Sequence, residues 1–176
     1  TGVPVNEMIH RTLELKAYSL RIDNIETLVD LDPRLPPVHA NPNKLQQALL
    51  NLVNNAHEAM AHAHGGGTLT IRTGLALLDG SPAVCISVCD DGPGVSEEVR
   101  ERLFEPFFTT KRPQNGTGLG LTISRRVAEE CGGSLTLDVT YAPGAKFDLV
   151  LPIDDSAAAR SEPAGEDADV RRGGAR

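Results

Sequence analysis

Three glycines stand at alternate positions in the segment NGTGLGL (residues 115–121), directly before a run with helical periodicity. Glycine costs about 1 kcal/mol relative to alanine inside a helix, so Gly116, Gly118 and Gly120 need a compensating reason to be there. One interpretation is a flexible loop that precedes a helix. The other is a backbone cradle, in which N–H groups at the start of the helix bind phosphate oxygens. The segment alone leaves both interpretations open.

Polar side chains on a second predicted helix form another candidate site. At 100° per residue, Asn51, Asn55 and Glu58 fall within about 60° of one another, beside the apolar stripe of that helix. Unpaired amides at the edge of a core are costly, so these side chains need water or a ligand as partner. They are either solvated boundary residues, or they include an amide oxygen that completes an octahedral Mg²⁺ shell with phosphate oxygens and waters.

A carboxylate after a predicted strand is the third candidate. Asp90 follows three apolar residues at alternate positions of the segment AVCISVCD, and the turn that contains Gly92 and Gly94 comes next. A buried carboxylate needs hydrogen-bond donors, and an exocyclic amine beside a ring nitrogen, as in adenine, would supply one. An ordinary acidic turn also fits, because Asp-Gly is common in turns.

Three helices are predicted to position these residues. The first spans Val5 to Ile22, where apolar residues recur at helical spacing. The second spans residues 41–60 and begins with Asn41 as N-cap and Pro42 at the first helical position. The third follows the glycines and ends at the next glycine pair, residues 132–133.

Strand patterns alternate with the helices. Residues 25–33 resemble a strand ended by proline, and residues 68–90 and 134–152 each resemble a hairpin, around DGSP and APGA. Residues 93–115 contain three prolines and no clean period, which is typical of a functional or mobile loop. The order of elements predicts an α+β fold, a two-layer sandwich with helices on one face of a mixed, mostly antiparallel sheet.

Composition narrows the class of protein. The 176 residues are 40% apolar, with no Trp and a net charge of −7, which argues against a nucleic-acid binder. An anionic ligand must therefore be held by local donors rather than by the overall field. The three cysteines are an odd number without a disulfide-scaffold pattern and fit a reducing compartment. No signal peptide or apolar run near 18 residues is present, so we expect no membrane contact, and a start at Thr1 suggests a fragment.

Four motifs in a fixed order resemble one known family. The segments NLVNNAHEA, DDGPGV, LFEPFFTTK and GTGLGL are similar to those of the catalytic ATP-binding domain of sensor histidine kinases. That domain belongs to the GHKL superfamily, with the gyrase-type ATPases and Hsp-type chaperones, and has a Bergerat-type sandwich. The resemblance covers roughly residues 3–153. It implies a catalytic domain over residues 1–154, followed by a disordered tail or linker over residues 155–176.

The resemblance also implies ATP and Mg²⁺ as ligands. Asn55 matches the Mg²⁺-binding asparagine, and Asn51 lies one turn before it. Asp90 matches the carboxylate that binds the adenine amine, with Gly92 and Gly94 letting the chain pass close to the base. In the phosphate region, Thr110, Lys111, Gly116, Thr117, Gly118, Leu119 and Gly120 match nucleotide-binding positions, and Asn51, Asn55 and Lys111 are the candidate catalytic residues. The glycines then form the phosphate cradle.

A mobile segment, which we call the lid (residues 95–115), covers the nucleotide in that family. Phe104, Phe107 and Phe108 match its phenylalanine box, and Phe107 is the candidate nucleotide contact among them. The chain departs from the commonest pattern at three positions. Glu58 stands where many of these kinases have a basic residue, a form closer to the nitrogen-regulation kinases; Cys131 replaces a histidine, and Asp91 stands where asparagine is common.

The acceptor histidine of a sensor kinase is followed by an acidic residue, whereas His10 is followed by Arg11 and Thr12. We therefore expect the dimerisation and phosphoacceptor segment to lie outside this chain. His57, His62 and His64 fit a solvated helix face better than a metal site. The resemblance further implies a response regulator as downstream partner, no nucleic acid partner, a monomeric isolated domain and a cytoplasmic location, with a parent protein that could be membrane-anchored.

Three activities are open: phosphoryl transfer to a histidine of the parent protein, a kinase acting in trans on a partner, and an ATPase or ATP-gated module. Asn51 discriminates among them. ATPase relatives have at this position a glutamate that activates water, and an amide has no basic lone pair for that proton. The sequence therefore favours phosphoryl transfer over hydrolysis.

Overall fold

The computed structural model describes residues 2–110 and 117–158. Lys111 and Gly116, two of the predicted phosphate-binding residues, lie outside that range, as does most of the predicted tail. The elements, in chain order, are β1 (Gly2–Val3), α1 (Val5–Ile22), β2 (Ile25–Leu31), β3 (Val38–His39), α2 (Pro42–His64), β4 (Gly67–Leu78), β5 (Ser81–Asp90), α3 (Glu97–Arg100), α4 (Gly120–Glu130), β6 (Ser134–Leu137), β7 (Lys146–Pro152) and α5 (Asp155–Ala158).

The α+β prediction is confirmed. A five-stranded sheet has the order β2-β4-β5-β7-β6, in which β2 and β4 are parallel and the other neighbours are antiparallel. The helices α1, α2 and α4 pack side by side on one face, with α2 in the centre against β4 and β5. The described part of the chain is therefore a two-layer sandwich around one aliphatic core.

The central helix α2 begins as its sequence predicts. The Asn41 side-chain oxygen accepts hydrogen bonds from the backbone N–H groups of Asn43 (3.0 Å) and Lys44 (3.2 Å), and Pro42 is the first helical residue. The helix ends at Gly65, whose φ of +63° is left-handed. It runs four residues beyond the predicted end, because the alanines and histidines after Met60 provide no helix stop.

Buried aliphatic side chains join the two layers. At 2% exposure or less, α2 contributes Leu45, Leu49, Leu52 and Met60, and the facing strands contribute Leu69, Ile71, Val84, Ile86, Leu149 and Leu151. Their alternation along the strands leaves the other sheet face to polar residues such as Ser87 and Asp148, whose side chains are hydrogen bonded. No helix among the described residues is long and apolar enough to cross a membrane.

Several local features differ from the predictions. The small sheet of β1 and β3 was not predicted, because two-residue strands carry no period. The short helix α5 lies where the tail was expected to begin. His57, expected on a solvated face, is 8% exposed, and its Nε2 lies 2.5 Å from Asp23 Oδ2. This pairing joins α2 to the end of α1.

Candidate functional site

A cavity of about 410 Å³ lies between α2, the lid and the start of α4. Its walls combine amides, hydroxyls and glycine backbone with a few apolar side chains. The lining residues are Asn51, Asn54, Asn55, Glu58, Val99, Leu103, Phe108, Thr109, Thr110, Thr117, Gly118, Gly120 and Leu121. The structure therefore brings together two predicted groups from distant parts of the chain, the asparagines of α2 and the glycines before α4.

The α2 wall is a polar stripe of four residues, which we call the asparagine stripe: Asn51, Asn54, Asn55 and Glu58. Their spacing of three, four and seven residues places them on one helix face, and all four are half-buried. Asn54 was missed by the sequence analysis, although the same angular count could have included it. The stripe presents amide and carboxylate oxygens to the cavity, and these are the ligand types that Mg²⁺ prefers.

The start of α4 is fixed against α2 by its first carbonyl. Asn51 Nδ2 donates a hydrogen bond to the Gly120 oxygen at 3.3 Å, and Ser124 Oγ lies 2.9 Å from the same oxygen and 3.3 Å from the Ala48 oxygen. Ser124 is fully buried and was not predicted as a site residue. These contacts hold the positive end of α4, whose first backbone N–H groups have no partner within the helix, beside the asparagine stripe.

The lid is hydrogen bonded to the glycine segment through its backbone at Phe107. The Phe107 backbone N–H donates to the Gly118 oxygen at 3.1 Å. Gly118 has a φ of +69°, and a Cβ on it would lie 2.7 Å from the Phe107 Cα. Only glycine satisfies both the backbone conformation and the close approach. Gly118 therefore has a structural reason to be glycine in addition to any contact with phosphate.

The three lid phenylalanines have different environments. Phe104 packs edge-on against the core ring of Phe147, with centroids 6.4 Å apart. Phe108 lines the cavity, with the Arg102 guanidinium 4.5 Å from its ring centre. Phe107, the predicted nucleotide contact, has a φ of +63° and is 74% exposed, outside the cavity lining.

Asp90 ends β5 and lies outside the cavity lining, at 3% exposure. Its Oδ1 accepts hydrogen bonds from the backbone N–H groups of Gly92 (2.9 Å) and Ala145 (3.3 Å). Burial raises the pKa of this carboxyl above its ordinary value, while the two backbone hydrogen bonds oppose the shift and the nearby Asp91 adds to it. Asp90 is therefore a buried carboxylate, and among the described residues its donors are backbone N–H groups. The role of Ala145 was not foreseen.

The glycines beside Asp90 pack tightly. A Cβ on Gly92 would lie 3.0 Å from Asp90 Oδ1 and 3.4 Å from the Ala59 backbone. Gly94 has a φ of +76°, and its Cβ would lie 3.0 Å from the Gly144 oxygen. Asp91 has a structural contact, since its Oδ1 accepts from the Thr68 N–H at 2.9 Å. An asparagine oxygen could accept the same bond.

Comparison with known proteins places this chain in a family. The sequence model of the family described as histidine kinase-, DNA gyrase B-, and HSP90-like ATPase matches residues 40–155. The chain belongs to this ATPase family. The matched range contains the asparagine stripe, Asp90 and the glycine segment.

Curated relatives are bacterial kinases. Sporulation kinase E of Bacillus subtilis is 33% identical over 89% of this chain and 20% of its own length. The sensory histidine kinase/phosphatase NtrB of Klebsiella oxytoca is 36% identical over 86% of this chain and 45% of its own length. The chain therefore spans less than half of the length of these relatives.

Solved structures of the family are similar throughout. The nucleotide-free catalytic domain of the histidine kinase ThkA has a TM-score of 0.74 at 33% identity, covering 87% of this chain and 97% of that one. Full-length ShkA in complex with AMPPNP has a TM-score of 0.71 at 29% identity, covering 87% of this chain and 31% of that one. The two-layer sandwich is the Bergerat-type fold of these ATPases.

The predicted site residues are divided between the lining of the cavity and its surroundings. Asn51, Asn55, Thr110, Thr117, Gly118 and Gly120 line the cavity, whereas Asp90, Gly92, Gly94, Phe107 and Leu119 are outside its lining. Leu119 lies at the N-terminus of α4, and its backbone N–H is 3.4 Å from Thr117 Oγ1. No group of three or more His, Cys, Asp or Glu that could hold a metal occurs among the residues described. A cation here would depend on the amide and carboxylate oxygens of the α2 wall and on ligand atoms such as phosphate oxygens.

Proposed function

We propose that this chain is the catalytic domain of a sensor histidine kinase. It binds Mg·ATP and transfers the γ-phosphate to a histidine on a dimerisation and phosphoacceptor segment outside residues 1–176. The observation that carries this proposal is the cavity in which the asparagine stripe of α2 faces the glycine start of α4. Amide oxygens on one wall and backbone N–H groups on the other match the needs of a cation and a polyphosphate chain.

The nucleotide base is assigned to Asp90. Oδ1 accepts the two hydrogen bonds that the Asp90 side chain receives from the described residues, so Oδ2 remains for the exocyclic amine of adenine. Gly92 and Gly94 flank this carboxylate, and having no side chain they let the backbone approach it closely. The proposal thus orients ATP with its base at the end of β5 and its phosphates between α2 and α4.

The cation is assigned to Asn55, with Asn51 one turn before it. Both amides line the cavity, and their oxygens are hard ligands suited to Mg²⁺. When bound, Mg²⁺ would neutralise charge that develops on the phosphates. Asn51 uses its NH₂ group on the Gly120 oxygen, which leaves its carbonyl oxygen as the group that is free to face a ligand or water.

Phosphoryl transfer is favoured over hydrolysis because the Asn51 position has no carboxylate. An amide cannot accept the proton of an attacking water, so hydrolysis by the domain alone should be slow. Thr110, Lys111, Gly116 and Thr117 remain the proposed phosphate contacts, and Asn51, Asn55 and Lys111 the catalytic residues. A kinase acting in trans and an ATPase are the alternatives.

The rest of the assignment follows the family. We propose residues 1–154 as the catalytic domain and residues 155–176 as a tail or linker. NtrB among the relatives supports a nitrogen-regulation-like subtype, together with the NAHEA segment around Glu58. The proposed partners are the phosphoacceptor segment and a response regulator, with a monomeric isolated domain in the cytoplasm.

Radiolabelled ATP tests this proposal. The chain should bind Mg·ATP, hydrolyse it slowly and form no labelled phosphoprotein by itself. The same chain extended by its native flanking segment should form an acid-labile phosphohistidine, and Asn55→Ala in the extended protein should abolish the label. General-base contributions are typically 10²–10⁴-fold, so brisk hydrolysis by the domain alone would indicate the ATPase alternative.

A further inference from the structure

The loop before β7 packs directly on the backbone of Asp90. Gly144 has a φ of +92°, and a Cβ added to it would overlap the Asp90 carbonyl oxygen and lie 2.9 Å from the Asp91 Cα. No side chain larger than hydrogen fits between these two segments without moving one of them. The position of Gly144 is therefore coupled to the position of the carboxylate-bearing residue.

The next residue in the loop holds both parts of Asp90. The Ala145 N–H donates to Asp90 Oδ1 at 3.3 Å, and the Ala145 carbonyl accepts from the Asp90 N–H at 2.9 Å. Ala145 is 6% exposed, so these bonds are shielded from water. Ala145 thus binds the backbone of Asp90 and, together with the Gly92 N–H, restricts the rotation of its carboxyl group.

The same loop also meets the turn after Asp90. The Gly144 oxygen lies 3.0 Å from the place where a Gly94 Cβ would be, and Gly94 itself has a φ of +76°. The pair of residues 144–145 is therefore in contact with the start and the end of the turn that carries Gly92. About 55 residues of sequence separate the two segments, and β5 and β7 bring them together as neighbouring strands.

We propose that Gly144 and Ala145 are positioning residues for base recognition, which orient the Asp90 carboxylate so that Oδ2 meets the 6-amino group of adenine. This inference rests on the proposed function. With Oδ1 held by the N–H groups of Gly92 and Ala145, the direction of Oδ2 is set by the turn and the loop together. Hydrogen bonds weaken steeply with misalignment, so a small rotation reduces recognition of the amine.

The preference for ATP over inosine triphosphate measures this orientation. Inosine triphosphate has a carbonyl oxygen where adenine has the amine, and a correctly oriented carboxylate repels it. The triphosphate and ribose are the same in both nucleotides. A change in fold stability or in phosphate contacts therefore alters both affinities, whereas a misdirected carboxylate alters their ratio.

The first test compares Gly144→Ala with Gly80→Ala as a matched control. Gly80 has a φ of +80° in the β4–β5 turn, and an added Cβ there meets no atom within 4 Å. Both variants bear the backbone cost of a side chain at positive φ, but only Gly144→Ala displaces Asp90. We expect calorimetry to show about a tenfold or greater loss of the ATP preference in Gly144→Ala, the size of one charged hydrogen bond, and an unchanged preference in Gly80→Ala.

Ala145→Pro is the second variant, and it decides the question if Gly144→Ala does not fold. Proline removes the N–H that donates to Oδ1 and adds little volume. The lost donor should raise the pKa of Asp90 further, which carboxyl-carbon NMR detects, and should lower the ATP preference. A merely structural role would lower the melting temperature and leave the preference intact.

The outcomes separate this inference from the function on which it rests. If the unmodified chain binds no ATP, the proposed function is wrong and this inference fails with it. If the unmodified chain prefers ATP and the folded variants keep that preference, the positioning role alone is overturned. Loss of preference in Ala145→Pro, with Gly80→Ala unaffected, supports it.

Discussion

The two ends of the candidate nucleotide site are built differently. At the base end, Asp90 is buried, and its side chain accepts hydrogen bonds from the backbone of the turn after β5 and of the loop before β7. At the phosphate end, a helix face, the lid and a helix start meet around an open cavity. Asp90 and its backbone donors therefore lie within the described residues, whereas Lys111 and Gly116, which are proposed for the phosphate end, lie outside them.

This difference indicates that one end of the site selects the base and the other end binds the phosphates. A rigid carboxylate suits selection of one base, because selectivity depends on the alignment of a few hydrogen bonds. Helix termini and lids suit phosphate transfer, because the phosphates must be enclosed for chemistry and released afterwards. Substitutions at the base end should change which nucleotide binds, and substitutions at the phosphate end should change how tightly phosphate and cation bind.

The largest effect is expected at the base end. Asp90→Asn replaces an acceptor by a group that is partly donor, so the adenine amine loses a charged hydrogen bond worth about 1.5–3 kcal/mol or more. We expect ATP binding to fall by one to two orders of magnitude, or below detection, while the domain remains folded. Calorimetry for affinity and circular dichroism for folding check this. Near-unchanged affinity would mean that the base lies elsewhere.

A smaller effect is expected from Glu58 at the phosphate end. This carboxylate lines the cavity and should repel ATP that carries no cation. Charges 4 Å apart interact by about 1 kcal/mol in water and more where water is partly excluded. Glu58→Gln should therefore bind metal-free ATP about tenfold more tightly, with little change for Mg·ATP.

Glu97→Gln is the matched control for that substitution. Glu97 is exposed on α3 and is not among the lining residues, so its loss changes the net charge by the same amount. It should not alter the affinity for metal-free ATP. A large loss of Mg·ATP affinity in Glu58→Gln would instead identify Glu58 as a cation ligand and contradict a purely repulsive role.

A pH effect on stability is expected from Asp90. Because burial raises its pKa in the folded state, the folded protein binds the proton more tightly than the unfolded chain does. The free energy of unfolding contributed by Asp90 should therefore increase as the pH falls from neutral, through the raised pKa, to the ordinary value of 3.8. Thermal melts should show the unmodified chain gaining stability relative to Asp90→Asn over that window. An opposite trend would contradict the assigned shift.

Local chemistry made much of the fold predictable. Both ends of α1 were predicted, because the helical spacing of its apolar residues extends over the whole length of the helix. The start of α2 was predicted from Asn41 and Pro42, whose capping roles depend only on neighbouring residues. The Asp79–Gly80 turn was predicted from its dipeptide, and both residues have positive φ. Asn51, Asn55 and Asp90 followed from helix and strand periods together with the resemblance.

Contacts between distant segments were not predictable. The parallel pairing of β2 with β4 and the support of Asp90 by Ala145 both depend on which strands become neighbours. The APGA segment predicted a turn, but it did not predict that this turn contacts Asp90. Ser124 resembled an ordinary helical serine, and only its position between α2 and the Gly120 oxygen gives it a role. The apolar period of a helix or strand predicts which of its faces is buried, but only tertiary packing determines which residues contact that face.

The smallest effect is expected from Ser124→Ala, which removes the hydroxyl that lies 2.9 Å from the Gly120 oxygen and 3.3 Å from the Ala48 oxygen. Loss of a buried hydrogen bond of this kind costs about 1 kcal/mol in the free energy of unfolding, and urea unfolding measures it. Since Asn51 still donates to Gly120, the start of α4 should loosen rather than detach.

Mg·ATP affinity should therefore fall only several-fold, while the preference for ATP over inosine triphosphate should not change. Ser19→Ala is the matched control, because that hydroxyl also donates to a backbone carbonyl, Lys16 O at 3.1 Å, but within α1 and far from the site in sequence. A changed base preference in Ser124→Ala would show that the two ends of the site are coupled, and the division between base recognition and phosphate binding would then have to be abandoned.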